Sequence, residues 1–127
     1  MKLLRERDKP DQSDTDVPAS PAIERLNSAK AWIFDMDGVL YRGNAPLPGT
    51  GDLFATLMLR NIPFRLATNN STLTPDQYVK KLEKMDLDVP AEWIVTSGVA
   101  TREYLLTRFP KGSAIYVVGE PALFEQL

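Results

Sequence analysis

The sequence predicts an α/β fold in which a parallel sheet carries helices on both faces. Three observations carry this expectation. The run Ala31-Trp32-Ile33-Phe34 is apolar without alternation, the mark of a strand buried on both faces of a parallel sheet. From Ile23 onward, such runs alternate with segments whose apolar residues recur at helical spacing. Between two of the runs, Thr74-Pro75-Asp76-Gln77 has every mark of a helix start. A β-α-β-α order folds as parallel strands joined by right-handed crossovers.

The first strand is expected over about 31–35 and must stop at Asp35, because a buried strand does not tolerate carboxylates. A loop rich in turn formers follows, with Gly43, Asn44, Pro46, Pro48 and Gly49. Gly49-Thr50-Gly51 reads as a helix start, since Phe54 stands where a dinucleotide fingerprint needs its third glycine. Leu53, Phe54, Leu57 and Met58 then repeat at helical spacing, and that helix is expected to end at Asn61. Pro63-Phe64-Arg65-Leu66-Ala67 reads as a second strand, with proline tolerated at its first position. In the helix opened by Thr74, Tyr78, Val79, Leu82 and Met85 face inward and Lys80, Lys81 and Lys84 largely outward. Trp93-Ile94-Val95 is a short extended piece, and Ser97 is placed to cap a helix running to about Phe109. Ala114-Ile115-Tyr116-Val117-Val118 reads as another buried strand, and Glu120-Pro121 opens a last helix. Residues 1 to about 21 read as a disordered tail, because charges of both signs and three prolines leave too little apolar surface to offset ordering. Residues 22–127 then form the folded part.

Composition narrows the chemistry. The 127 residues are 43% hydrophobic and 25% charged, as in ordinary soluble domains. Fifteen basic against seventeen acidic residues leave a charge of −2 and no basic stripe, which speaks against nucleic acid. There is no cysteine and no histidine, so thiolate catalysis and the commonest general base are excluded. Catalysis would have to rest on carboxylates, hydroxyls, amides, lysines or arginines. No apolar run near Met1 is long enough for a signal peptide or membrane span, so the expectation is a cytoplasmic protein without a membrane partner.

The most informative stretch is Asp35-Met36-Asp37-Gly38. In extended backbone, side chains two apart point the same way, so Asp35 and Asp37 can converge while Met36 turns aside. Gly38 allows the turn that follows. Two carboxylates converging at the carboxyl end of a strand suit a divalent cation and acid/base or nucleophilic work. The second strand runs into Thr68-Asn69-Asn70-Ser71-Thr72, whose hydroxyls, amides and freed N–H groups can hold phosphate oxygens. If the two strands are neighbours, a cation, two carboxylates and a phosphate cradle make a phosphoryl-transfer site. A bare turn is the bland alternative for Asp35 to Gly38, and for Asn70 turn and binding weigh about evenly. A calcium loop fails, since Val39 and Leu40 stand where a ligand and an invariant glycine are needed.

Asp35-Met36-Asp37-Gly38-Val39-Leu40 resembles the first motif of the haloacid dehalogenase superfamily, and Thr68-Asn69-Asn70 its second. Leu40-Tyr41-Arg42-Gly43, Thr96-Ser97-Gly98 and Val117-Val118-Gly119-Glu120 look like its capped 4-nitrophenylphosphatase, phosphoglycolate phosphatase and nucleotide phosphatase group. The resemblance covers roughly residues 29–127 and implies a Rossmann-like core. It further implies a magnesium-dependent (Mg2+) hydrolysis of a small phosphorylated metabolite. Asp35 would be the nucleophile that becomes a transient aspartyl phosphate, and Asp37 the acid and then the base. The Asp35 carboxylate and the Asp37 carbonyl would hold the metal. Thr68, Asn69, Asn70 and backbone N–H groups near Gly38 would bind phosphate, and Tyr41 to Asn44 would lie in a flap that helps close the site.

The family pattern also asks for a later lysine and a later pair of acids, and nothing after Val118 supplies them. The chain is therefore expected to be the amino-terminal part of such an enzyme, or else a non-catalytic remnant that binds metal or phosphate weakly or pairs with another chain. The first strand is expected to be open along one edge and to favour association between copies.

Overall fold

The computed structural model describes Arg25 and residues 28–127; the tail expected over 1–21 lies outside these residues. Three strands form a parallel sheet: β1 (Trp32–Asp35), β4 (Phe64–Thr68) and β5 (Ile94–Thr96), in the order β1-β4-β5. Between β1 and β4 lie a small antiparallel ribbon, β2 (Tyr41–Arg42) and β3 (Ala45–Pro46), and helix α1 (Thr50–Leu59). Helix α2 (Pro75–Glu83) and a tight turn at Ala91–Trp93 connect β4 to β5. Helices α3 (Ser97–Arg108) and α4 (Pro121–Gln126) follow. The register sets Trp32 opposite Phe64, Asp35 opposite Ala67 and Thr68 opposite Thr96, so the carboxyl ends of all three strands lie side by side.

The local rules that the sequence obeys are visible at the helix ends. Asn61 takes the left-handed conformation (φ 53°), which asparagine tolerates better than most residues. There the N–H of Ile62 donates to the carbonyl of Leu57, and that of Asn61 to Met58, closing α1 in a Schellman motif. Gly49, at φ 85°, turns the chain into α1, a backbone conformation that a side chain would strain. At the start of α2 the capping box is complete: Gln77 N–H donates to Thr74 Oγ1, and Thr74 N–H donates to Gln77 Oε1. Helix α3 is capped one residue earlier than expected. Thr96, extended at the end of β5, accepts from Val99 N–H, and Ser97 is already helical.

One face of the sheet makes the core. Phe64 and Leu66 meet Phe54 and Leu57 of α1 and Tyr78 and Leu82 of α2, with Met36, Leu40 and Tyr41 closing the end. Phe64 is the hub, with ring centroids 5.0 Å from Phe54 and 4.9 Å from Trp93. It is 2% exposed, and burying such a ring contributes roughly 2–3 kcal/mol. The opposite face carries Ile33, Arg65 and Val95. Helix α3 begins on that side, where Ser97 and Ala100 share a hollow with Ile33 and Val95. Ile33 is nonetheless 75% exposed, so β1 is covered on one face where its unbroken apolar run suggested two.

The second difference concerns residues 114–118. They form no strand, and Tyr116 is 95% exposed. The apolar run satisfies strand propensity, but a strand also needs a neighbour's ladder of hydrogen bonds, and no such bond reaches these residues among those described. The loop after β1 differs more mildly: Gly43 (φ 60°) and Asn44 close a two-residue hairpin between β2 and β3. Among the described residues, no helix is long and apolar enough to cross a membrane.

Candidate active site

Asp35 is the last residue of β1, and the chain then folds back on itself. The Met36 carbonyl accepts from Leu40 N–H at 2.9 Å, and Gly38 N–H donates to the Tyr41 carbonyl at 2.7 Å. Gly38 sits at φ 80°, the conformation that such a turn demands of it. Met36 is wholly buried while Asp35 and Asp37 are exposed, so the two carboxylates share the solvent side as the alternation required. Because Asp35 pairs with Ala67, the next residue of β4, Thr68, stands at the same end of the sheet.

Asp35, Asp37, Thr68, Asn69 and Asn70 all line one cleft of about 310 Å³. Thr68 Oγ1 accepts from Asn70 N–H at 3.1 Å, which shapes the loop beyond β4. The Asn70 side-chain oxygen is engaged by Thr72 N–H at 2.8 Å, so Asn70 is at once a cleft residue and a turn former. Gly38 stands apart from the other expected residues. It does not line the cleft, and its N–H donates to the Tyr41 carbonyl.

Four further side chains line the cleft that sequence reasoning did not assign to phosphate or metal: Tyr41, Leu73, Tyr78 and Lys81. The sequence places Tyr78 in the core and Tyr41 in the flap; both are almost fully buried yet reach the cleft. Lys81, read as an outward residue of a solvated face, is half-buried, with its ammonium 4.2 Å from the centroid of the Tyr41 ring. The signal was available: α2 starts just beyond the polar end of β4, and positions 78 and 81 share a helix face.

The electrostatics follow from this crowding. Burial pushes the Tyr41 phenol up to about 12, with Tyr78, Asp37 and Asp35 nearby adding to the effect. Burial also raises the Tyr78 phenol, opposed by its hydrogen bond with Thr68 and assisted by Asp37. Both rings stay neutral hydrogen-bonding groups at ordinary pH. The described residues contain no cluster of three or more metal-ligating side chains. Two carboxylates at one cleft nonetheless suit magnesium, which keeps several waters and takes one or two carboxylates together with substrate oxygens.

The model of the haloacid dehalogenase-like hydrolases matches residues 32–127, three quarters of the chain. The chain belongs to this family. Proteins similar to it include an acid sugar phosphatase of Staphylococcus aureus, 37% identical over 98 residues, 77% of this chain and 38% of that protein. Among solved structures, a 4-nitrophenylphosphatase of Thermotoga maritima is 40% identical with a TM-score of 0.74, covering 80% of this chain and 38% of its own. A hypothetical protein of Pyrococcus horikoshii is 49% identical with a TM-score of 0.73, over 77% of this chain and 37% of its own. The chain thus spans well under half the length of these relatives. Their shared haloacid dehalogenase-like fold agrees with the parallel α/β sheet described above, and the phosphatases among them agree with the hydrolase that its motifs resemble.

Proposed function

We propose that this chain is the amino-terminal part of a magnesium-dependent phosphatase that hydrolyses a small phosphomonoester through an aspartyl phosphate. The observation that carries the reading is the convergence of Asp35, Asp37 and Thr68 on one cleft at the carboxyl ends of two paired strands. An Asp35 carboxylate oxygen attacks phosphorus, and the bond from phosphorus to the leaving oxygen breaks. Asp37, protonated, gives its proton to that leaving oxygen; then, as carboxylate, it takes a proton from the water that attacks the aspartyl phosphate. The bond from phosphorus to the Asp35 oxygen breaks as water adds, which regenerates the Asp35 carboxylate and frees inorganic phosphate. Thr68 and Asn69 hydrogen-bond the phosphoryl oxygens and hold them in line. The Asp35 carboxylate and the Asp37 carbonyl would hold Mg2+, which when bound offsets phosphate charge.

The test is beryllium fluoride in the presence of magnesium, with the adduct located by fluorine NMR and by shifts of the Asp35 and Asp37 amides. An adduct on Asp35 that is lost in Asp35→Asn supports the reading. An adduct on Asp37, or none at all, overturns it.

A second reading is that the chain binds metal or phosphate without turning substrate over. The two carboxylates of the cleft face a single lysine there, which favours it. It predicts saturable phosphate binding with no release of 4-nitrophenol from 4-nitrophenyl phosphate.

A further inference from the structure

We propose that Lys81 is the cationic anchor of the cleft, contributed by α2 to hold oxygens of a phosphoryl dianion; this rests on the phosphatase reading above. Lys81 lies three residues after Tyr78 on one face of α2, and both side chains line the cleft with Asp35 and Asp37. Lys80 and Lys84, its neighbours in sequence, are exposed. Among the described residues, the one ion pair within 4.0 Å is Arg102 with Glu103, so no carboxylate neutralises the Lys81 ammonium. Its described partner is the ring of Tyr41, over which the ammonium rests at 4.2 Å from the centroid.

That arrangement has a physical consequence. A cation over an aromatic face is attracted to the ring quadrupole, which orders a side chain that would otherwise sample many rotamers. The ring accepts no directed hydrogen bond of ordinary strength, so the ammonium's donors stay free for an anion. A doubly charged phosphoryl group entering the cleft meets Asp35 and Asp37, both negative when ionised, and otherwise the neutral Thr68, Asn69, Asn70 and two phenols. Lys81 supplies the opposing charge from the protein itself, and charge-assisted hydrogen bonds to phosphate are the strong kind.

The experiment titrates the whole chain with inorganic phosphate in magnesium chloride and follows the amide resonances of residues 68–72 by NMR. Wild type should show saturable shifts, Lys81→Met should weaken binding about tenfold or more, and Lys81→Arg should retain most of it. Lys80→Met, on the exposed face, should bind as wild type does. Lys81→Gln, which keeps a polar stem over Tyr41, serves beside the methionine variant should that one lose its dispersed spectrum. Equal binding by Lys81→Met and wild type overturns the assignment while leaving the phosphatase reading in place. An equal loss in Lys80→Met reduces it to a general field effect and overturns it too. Absence of saturable shifts in wild type overturns both readings together.

Discussion

The hydroxyl of Thr50 donates to the carbonyl of Leu40 across 3.0 Å, inside the core. Leu40 closes the turn that carries Asp37, and Thr50 is the first residue of α1, so this one bond fixes the loop after β1 to a helix. The same carbonyl accepts from Leu47 N–H at 2.8 Å. Thr50→Val keeps the shape and removes the donor. Because Leu40 retains its second partner, the expected loss is roughly 0.5–1.5 kcal/mol in urea unfolding, with Thr50→Ser close to wild type.

Thr96 has two tasks at the end of β5. It caps α3 by accepting from Val99, and its hydroxyl donates to the side-chain oxygen of Gln126, tying α4 down beside it. Thr96→Val removes the cap and leaves the buried Gln126 oxygen without its partner. We expect a loss of roughly 1–3 kcal/mol. Gly98→Ala should weaken the same junction, since a Cβ there would lie 2.7 Å from the Gln126 side chain. Unchanged unfolding midpoints in both variants would refute this account.

The raised phenol of Tyr41 makes stability depend on alkaline pH. Its folded value near 12 lies above the ordinary 10.0, so the folded state holds the proton more tightly than the unfolded state. The stabilisation is complete below pH 10 and is lost progressively as pH rises toward 12. Tyr41→Phe should flatten that decline and remove a phenolate absorbance step near pH 12. A variant that titrates like wild type at 295 nm would contradict the assignment.

Thr68 should matter more to phosphate than to folding. Thr68→Ala is expected to weaken inorganic phosphate binding by roughly 1–3 kcal/mol, the worth of a hydrogen bond to a charged group. Calorimetric titration measures this, with unfolding run alongside. Equal affinity would leave Thr68 as a turn residue that accepts from Asn70 and pairs with Tyr78.

The exposed Ile33 on edge strand β1 should promote association between copies of the chain. Ile33→Lys places a charge on that face and should shift size-exclusion elution toward the monomer. An identical profile for both proteins would sink the idea.

The parts of this fold legible in the sequence are those that local chemistry decides. Thr74 to Gln77 spelled a capping box and made one, and Asn61 ended α1 as expected. The carboxylate pair flanking Met36 followed from strand alternation alone. What stayed hidden depends on neighbours distant in sequence. Residues 114–118 have the right side chains for a strand, but among the described residues no neighbour's ladder of hydrogen bonds reaches them. Lys81 reads as one of three lysines on a polar helix, and only the placement of Tyr41 against α2 distinguishes it. Thr96 rather than Ser97 caps α3, and its hydroxyl also donates to Gln126, thirty residues on, a partner that local sequence does not reveal.

The pairing of Trp32 with Phe64 and of Leu66 with Ile94 sets a clock for the chain's birth. Each ladder joins strands about thirty residues apart, so none of the sheet's hydrogen bonds can form as its first strand leaves the ribosome. At roughly 5–20 residues per second, β1 waits on the order of seconds for β4 to emerge. During that interval Trp32, Ile33 and Phe34 have no sheet to enter, and α1, whose contacts are local, is the element free to form first. The two carboxylates that follow the apolar run are then, before any chemistry, the charges that keep a waiting strand in solution.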